Sequence, residues 1–229
     1  MTVKDHTSVV IAAYNEAVII GRVVTEVRRA GYPVVVVDDG SKDTTAQVAK
    51  SSGATVIQHP FNLGQGAALQ SGIDLALANG AEVIVTFDAD GQHGAADISR
   101  LAEALAEENA DFVLGSRFLE ASSNIPRLRR LLLKAATVFT RITTGLRLTD
   151  AHNGLRAMTR RGAGAIRLRQ NRMAHASELL DQIGASGLHY VERPVTVHYS
   201  AYSIAKGQKT SDSVVILLDL FAHALYRRV

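Results

Sequence analysis

The sequence contains no cysteine, which excludes a disulfide scaffold and any metal site built on thiolates. No apolar run approaches the roughly 20 residues that a membrane-spanning helix requires. The polar residues 1–7 lead directly into a β-rich run, so we also expect no signal peptide. A hydrophobic content of 47% in 229 residues suits a single globular domain over residues 1–229. The lack of cysteine fits a cytoplasmic protein.

Acidic residues are scarce in the middle of the chain. Residues 117–172 contain 13 Lys and Arg but only 2 Asp and Glu. Residues 1–116, in contrast, contain 7 Lys and Arg and 15 Asp and Glu. A basic block of this density indicates a polyanionic partner such as anionic lipid, nucleic acid or a phosphorylated substrate. The alternative is a solvated basic face with no partner.

The first half of the chain alternates between apolar, β-rich runs and amphipathic segments. This pattern predicts an α/β fold whose mostly parallel sheet is flanked by helices on both faces. Ligands of such sheets bind beyond the carboxyl ends of the strands. The predicted strands are Thr7–Ala13, Val34–Val37, Ala54–Gln58, Glu82–Phe87 and Phe112–Leu114. Helices are predicted over Glu16–Ala30, Asp43–Ser52 and Gln65–Asn79, and around Ile98–Leu105.

Two aspartates, Asp88 and Asp90, follow the predicted strand Glu82–Phe87. Charge is costly to bury without a partner, so paired carboxylates at a strand end indicate a bound cation. Mg²⁺ and Mn²⁺ prefer carboxylate and phosphate oxygens. The pair could therefore hold a metal that bridges two phosphates of a nucleotide. The alternative is a solvated turn with a helix cap.

Polar residues follow three other predicted elements. Tyr14-Asn15-Glu16 follows the first strand, and Asp38-Asp39-Gly40-Ser41 follows the second. The glycine-containing loop Asn62–Gly66 enters a helix, where backbone amides can bind an anion. None of these segments matches the dinucleotide fingerprint or a Walker A loop. The three clusters at strand ends, residues 14–16, 38–41 and 88–90, should converge on one crevice.

Taken together and in this order, the motifs Ala13–Glu16, Val37–Thr44, Asn62–Gly66 and Asp88–His93 resemble those of the family 2 glycosyltransferases, which have the GT-A fold. The resemblance covers about residues 7–160. With Gly115-Ser116-Arg117, the chain is most similar to the branch of dolichyl-phosphate mannose synthase and bacterial polyprenyl-phosphate sugar synthases. It implies a nucleotide-sugar-binding half over residues 1–116 and an acceptor- and membrane-facing half over residues 117–229.

The resemblance also implies roles for individual residues. The base and ribose of the donor would contact Ala13, Tyr14, Glu16, Asp38 and Asp39, and Gly66 and Ala89 would complete the donor site. The divalent metal, Mg²⁺ or Mn²⁺, and the diphosphate would be surrounded by Asp88, Asp90 and Gln92. Arg117 would face the acceptor's phosphate, and Asp150 would act as a base or position the acceptor.

Two lysines and three histidines are further polar residues to assign. Lys206 and Lys209 lie in a polar segment before the last predicted helix and are candidates to close over the diphosphate. The alternative for them is an ordinary basic loop. His93 follows the metal motif and His152 lies near the expected acceptor site, whereas we assign His175 no role.

The chemistry of transfer separates two kinds of acceptor. Displacement of a nucleoside diphosphate builds negative charge on the leaving group, which a metal stabilises. A lipid phosphate is already ionised at neutral pH and needs no general base, whereas a sugar hydroxyl would make Asp150 more important. We favour an inverting enzyme that uses a nucleotide sugar, with uridine diphosphate preferred, and a polyprenyl phosphate for cell-envelope glycan synthesis.

Three alternatives stay open at this point. The first is a glycosyltransferase that acts on a hydroxyl of a saccharide or lipid-linked glycan. The second is a nucleotidyltransferase, although the chain lacks the glycine-rich N-terminal loop with Arg and Lys expected there. The third is a non-catalytic module that binds anionic lipid or nucleic acid. The two aspartate pairs would repel a polyanion without a metal, so we expect no nucleic-acid partner.

The chain contains segments that could attach it to a membrane surface. Several relatives in the branch carry C-terminal transmembrane helices. Here we find a basic-apolar stretch with helical spacing, residues 126–148, and an amphipathic helix candidate, residues 213–226, that is followed by Arg227-Arg228. We expect the protein to be peripheral to the inner face of the cell membrane, through these stretches or a small membrane protein. A homo-oligomer that displays several such helices is compatible with this arrangement.

Overall fold

The structure is a computed structural model that describes residues 3–119, 127–151, 153–170 and 174–198. In these ranges the chain forms one seven-stranded sheet. Its strands are β1 Thr7–Ala13, β2 Val34–Asp38, β3 Thr55–Gln58, β4 Val83–Thr86, β5 Phe112–Ser116, β6 Arg156–Thr159 and β7 Tyr190–Pro194. A short 3₁₀ helix, Val3–His6, precedes β1.

Helices connect most of the strands. They are α1 Ile20–Arg29, α2 Thr45–Ser51, α3 Gln65–Ala78, α4 Ala96–Glu107, α5 Arg127–Thr144, α6 Arg160–Ala165 and α7 Ala174–Ser186. The predicted strands and helices of the first half are confirmed, with boundaries that differ by a few residues at most ends. The largest difference is at α1, which begins at Ile20 rather than Glu16 because residues 14–19 form the turn after β1.

The strands are arranged in the order β3-β2-β1-β4-β6-β5-β7. The pairs β2–β3, β1–β2, β1–β4 and β5–β7 are parallel, and β6 runs antiparallel to both of its neighbours. The predicted α/β class with a mostly parallel sheet is confirmed. Because β6 runs in the opposite direction, its first residue lies at the edge of the sheet where β4 and β5 end.

Two hydrophobic cores cover the two faces of the sheet. In β1, Val9 and Ile11 pack with α1 and α4, whereas Val10 packs on the other face with α3. In β2, Val34 and Val36 face the same core as Val9 and Ile11, whereas Val35 and Val37 face the other core. Successive side chains of a strand point to opposite faces, so a strand covered on both sides is apolar throughout. This explains the continuous apolar runs of the sequence.

Helix α5 comes from the basic-apolar stretch of residues 126–148 and packs against α7. Its side chains Val138 and Ile142 are 59% and 76% exposed, one turn apart, and Lys134 and Arg141 are exposed as well. None of the helices in the described ranges is long and apolar enough to cross a bilayer. The predicted helix over residues 213–226 lies outside the described residues, as do Lys206, Lys209 and His152.

Candidate active site

A cavity of about 500 Å³ opens at the carboxyl ends of the central strands. It is lined by nine of the predicted site residues, namely Ala13, Tyr14, Glu16, Asp39, Asp88, Ala89, Asp90, Gln92 and Arg117. The structure therefore brings together the polar clusters that follow β1, β2, β4 and β5. Three predicted residues, Asp38, Gly66 and Asp150, are buried behind this lining. The roles assigned to all of them stay predictions.

The turns that follow β1 and β2 are joined by hydrogen bonds. The backbone N–H of Asn15 donates to Ser41 Oγ at 2.8 Å, and that of Glu16 donates to Thr45 Oγ1 at 2.8 Å. These bonds hold Tyr14 at the mouth of the cavity, where its side chain is 41% exposed. An exposed aromatic ring on a fixed turn can stack on a planar ligand such as a nucleotide base.

The carboxylate of Asp39 organises the glycine-containing loop. It accepts hydrogen bonds from the N–H groups of Leu63 at 2.9 Å and Gly64 at 2.7 Å, and His59 Nδ1 lies 2.8 Å away. Two of the amides expected to bind an anion are thus already occupied by Asp39. Asp38 has a local role too, because its Oδ1 accepts from the N–H of Ser41 at 3.1 Å.

Gly66 lies where the chain around Gln170 packs on the start of α3. A Cβ at position 66 would approach the carbonyl oxygen of Gln170 to 2.3 Å and Cβ of His175 to 2.7 Å. No side chain larger than hydrogen fits there. The geometry explains the glycine by packing rather than by contact with a donor.

The acidic motif forms a tight turn directly after β4. The N–H of Gln92 donates to Asp90 Oδ1 at 3.0 Å, and His93 Nε2 lies 3.4 Å from Asp88 Oδ2. Burial and the neighbouring charge of Asp88 raise the pKa of Asp90. Burial also acts to raise the pKa of Asp88, but the hydrogen bond and charge of His93 and the charge of Arg156 outweigh it, so this pKa is lowered.

The residues of this turn fit a hard divalent cation. Asp88 and Asp90 supply carboxylate oxygens, Gln92 supplies an amide oxygen, and a bound cation would relieve the repulsion that raises the pKa of Asp90. No group of three or more His, Cys, Asp or Glu that could hold a metal occurs among the described residues. A metal held here would therefore need further oxygens, which a diphosphate can provide.

The segment after Asp150 forms the floor of the cavity below Asp88. Thr86 Oγ1 donates to the carbonyl oxygen of Gly154 at 2.8 Å. A Cβ at Gly154 would lie 2.3 Å from Asp88 Oδ2, so the carboxylate has space only because residue 154 is a glycine. This contact explains why Asn153-Gly154 matters to the site although it is remote from Asp88 in sequence.

Arg117 and Asp150 form a buried, two-pronged ion pair. Arg117 Nε lies 2.6 Å from Asp150 Oδ2, and Nη2 lies 2.8 Å from Oδ1. Glu192 of β7 fixes the turn that carries Asp150 by accepting hydrogen bonds from the N–H groups of Thr149 and Asp150. Burial raises the pKa of Glu192, against the effect of these bonds. Arg117 faces the cavity, whereas Asp150 lies behind it and has both oxygens engaged.

Asn153, Arg156 and His175 are among the residues that line the cavity but were missing from the sequence-based site. Arg156 is only 4% exposed, and burial lowers its pKa to about 10 although the charges of Asp88 and Asp150 oppose the shift. An arginine within the apolar stretch Leu155–Met158 is a sequence signal that could have identified it. His175 is buried at the start of α7 and interacts electrostatically with Asp88, but no motif marks it.

Comparison with known proteins identifies relatives of the chain. Residues 8–166 match the model of the family described as Glycosyl transferase family 2. A UDP-N-acetylglucosamine–dolichyl-phosphate N-acetylglucosaminyltransferase from Methanococcus voltae is 30% identical over 220 residues, which cover 86% of this chain and 88% of that protein. A polyprenol monophosphomannose synthase from Mycolicibacterium smegmatis is 34% identical over 166 residues, covering 68% of this chain and 62% of that protein.

Solved structures share the fold. Glucosyl-3-phosphoglycerate synthase from Mycobacterium tuberculosis, crystallised with Mn²⁺, uridine diphosphate and glucosyl-3-phosphoglycerate, superimposes with a TM-score of 0.67. The sequence identity is 21%, and the match covers 95% of this chain and 82% of that one. The expected resemblance to the polyprenyl-phosphate sugar synthase branch and the expected GT-A fold are confirmed by these comparisons.

Proposed function

The chain belongs to glycosyl transferase family 2 and is a glycosyltransferase, and from this premise we propose that it transfers a sugar from a nucleotide sugar to a polyprenyl phosphate. We propose a uridine diphosphate sugar as the donor, Mg²⁺ or Mn²⁺ as the required ion, and inversion at the anomeric carbon. The product would serve cell-envelope glycan synthesis.

One observation carries this proposal. The acidic turn of Asp88 and Asp90 shares a single cavity with Arg117 at the end of β5. A donor diphosphate needs a cation held by carboxylates, and an acceptor phosphate needs a fixed guanidinium. Both requirements are met at the ends of β4 and β5, which only β6 separates in the sheet, in a family in which relatives are named for dolichyl phosphate and polyprenol phosphate.

The donor would lie over the ends of β1 and β2, with its base against Tyr14 and its ribose near Glu16 and Asp39. Asp88, Asp90 and Gln92 would hold the metal at the diphosphate. When bound, the ion would supply positive charge that stabilises the leaving diphosphate. The solved neighbour that holds Mn²⁺ and uridine diphosphate supports this assignment at the level of the fold.

The state of Asp150 favours a phosphate acceptor over a hydroxyl. Both oxygens of its carboxylate are engaged by Arg117, so the residue is arranged to hold an arginine rather than to take up a proton. A phosphate monoester is ionised at neutral pH, and one of its oxygens can attack the anomeric carbon directly. The new bond joins that oxygen to the sugar, and the electron pair of the broken bond leaves with the nucleoside diphosphate.

Contact with the inner face of the membrane would use α5. Its exposed Val138 and Ile142 can enter the interfacial region while Lys134 and Arg141 reach anionic headgroups. Such a contact would bring the protein to the surface of the membrane that holds the lipid acceptor. Lys206 and Lys209, a small membrane partner and a homo-oligomer remain predictions, as does the division of the chain at residue 116.

The test is an assay of nucleoside diphosphate release. Purified full-length protein is incubated with Mn²⁺ or Mg²⁺, with uridine and guanosine diphosphate sugars in turn, and with a short polyprenyl phosphate. Release that requires both the metal and the lipid phosphate supports the proposal and identifies the sugar. Release that requires the metal but is the same without lipid phosphate contradicts the proposed acceptor. A chelator and the matching polyprenol without phosphate are the controls.

A further inference from the structure

Arg156 is a buried cation that the proposed function has not yet used. It is the first residue of β6 and lines the cavity, with 4% of its surface exposed. Within the described part of the chain, no carboxylate forms an ion pair with it at contact distance, in contrast to Arg117. Because its pKa is about 10, the guanidinium remains charged at neutral pH. A buried charge with no close counter-ion is arranged to meet an anion.

The sheet order shows which anion this would be. Tyr14 and Glu16, which the proposed function assigns to the nucleotide sugar, follow β1. The residues assigned to the metal follow β4, and β4 is adjacent to β1 in the sheet. On the far side of β4 lies β6 and then β5, and Arg117 directly follows β5. In register, Arg156 lies opposite Thr86 on β4 and Leu114 on β5. Arg156 therefore lies between the region expected to bind the diphosphate and the region expected to bind the acceptor.

Asn153 provides a second donor at the same place. Its Oδ1 accepts a hydrogen bond from the N–H of Leu155 at 2.9 Å, which fixes the orientation of the amide. Its Nδ2 is buried and has no hydrogen-bond partner among the described residues, although Asn153 is 4% exposed and lines the cavity. Burial of a donor without an acceptor costs free energy, and a ligand that accepts its hydrogen bond would remove that cost.

We propose that Arg156, with Nδ2 of Asn153 beside it, binds the phosphate of the acceptor together with Arg117. The inference rests on the proposed function and names two further residues of its acceptor site. Arg117 is largely neutralised by Asp150, so a phosphate that carries nearly two negative charges needs another cation. Arg156 supplies this second cation.

The test compares Arg156→Gln and Arg156→Lys with wild-type protein in the release assay. Loss of a charged hydrogen bond to phosphate should raise the KM for the lipid phosphate by about 10- to 100-fold in the glutamine variant. Lysine keeps the charge but not the planar fork, so its KM should rise less. Inhibition by inorganic phosphate should weaken in parallel. Asn153→Ala should show a smaller rise, and exposed Arg29→Gln is the matched control.

Calorimetric titration with uridine diphosphate and Mn²⁺ separates acceptor binding from loss of fold. The inference requires dissociation constants within about threefold of wild type in the variants, because Arg156 acts on the acceptor. An unchanged lipid KM in a variant that binds uridine diphosphate normally would overturn the inference while leaving the proposed function intact. A loss of uridine diphosphate binding in Arg156→Lys would also overturn it. Wild-type protein that needs no lipid phosphate would defeat both.

Discussion

Asp150 holds Arg117 through two parallel hydrogen bonds, of 2.6 Å from Nε and 2.8 Å from Nη2, and both side chains are buried. Removal of one partner leaves the other as an uncompensated buried charge. We expect Asp150→Ala to lower the free energy of unfolding by about 3–5 kcal/mol, measured by urea denaturation. Asp74→Ala, which removes the half-exposed pair with Arg167, should cost about 1 kcal/mol or less. Equal losses in the two variants would contradict a strong buried pair.

The same pair predicts a kinetic result for Asp150→Asn. A general base contributes about 10²- to 10⁴-fold to a rate, so its removal would lower kcat by that factor. If Asp150 only positions Arg117, the variant should keep at least about a tenth of kcat at saturating lipid phosphate and lose mainly in acceptor KM. Steady-state kinetics over a range of acceptor concentrations distinguish a general base from a positioning residue, with thermal unfolding as a check on the fold. A loss of kcat beyond about 10²-fold would instead support Asp150 as a general base.

Asp90→Asn tests the metal motif. The substitution keeps the size of the side chain and the acceptor oxygen for the N–H of Gln92, but removes the charge that a cation needs. We expect metal-dependent release to fall by about 10²-fold or more while the unfolding temperature stays close to that of wild type. Substitution of the exposed Asp74 of α3, Asp74→Asn, is the control. Unchanged turnover at limiting Mn²⁺ would remove the metal assignment from Asp90.

Much of the fold could be predicted because its signals are local. Residues 9–13 of β1 and 34–37 of β2 are apolar at every position, and helix α1 between the two strands carries one apolar face. Polar residues at the ends of those strands had to share an edge of a parallel sheet. The prediction that they converge on one crevice therefore needed only the strand direction, and the cavity contains residues from all three clusters.

The remainder of the site depends on chain reversal and on contacts distant in sequence. Arg156 joins the cavity only because β6 runs antiparallel to β4 and β5, which no motif indicates. Asp39 resembles a ligand residue in sequence, yet its carboxylate also binds the amides of Leu63 and Gly64. Gly66 belongs to a loop motif but is explained by the packing of Gln170.

Glu192 contributes to the pH dependence of stability, and a single substitution measures its share. Its pKa is raised above the ordinary value of 4.5 by burial. The native state therefore keeps a proton at pH values where the unfolded chain has lost it, so stability falls as the pH rises from about 4.5 through the raised pKa. Glu192→Gln should show a smaller fall than wild type, because Asp90, whose pKa is also raised, contributes to the fall as well. Exposed Glu103→Gln should retain the full fall. Urea midpoints between pH 4.5 and 8 measure the difference, and parallel curves for Glu192→Gln and wild type would contradict it.

Gly154→Ala should weaken metal binding without much loss of stability. The new Cβ would lie 2.3 Å from Asp88 Oδ2, and the atom it meets is the end of a side chain that can rotate away. We therefore expect Asp88 to move, and the dissociation constant for uridine diphosphate with Mn²⁺ to rise about tenfold. Gly164→Ala is the matched control, because nothing lies within 4 Å of its Cβ. Calorimetric titration and thermal unfolding of both variants separate the outcomes. Normal binding by Gly154→Ala would show that Asp88 need not occupy this position to hold the ion.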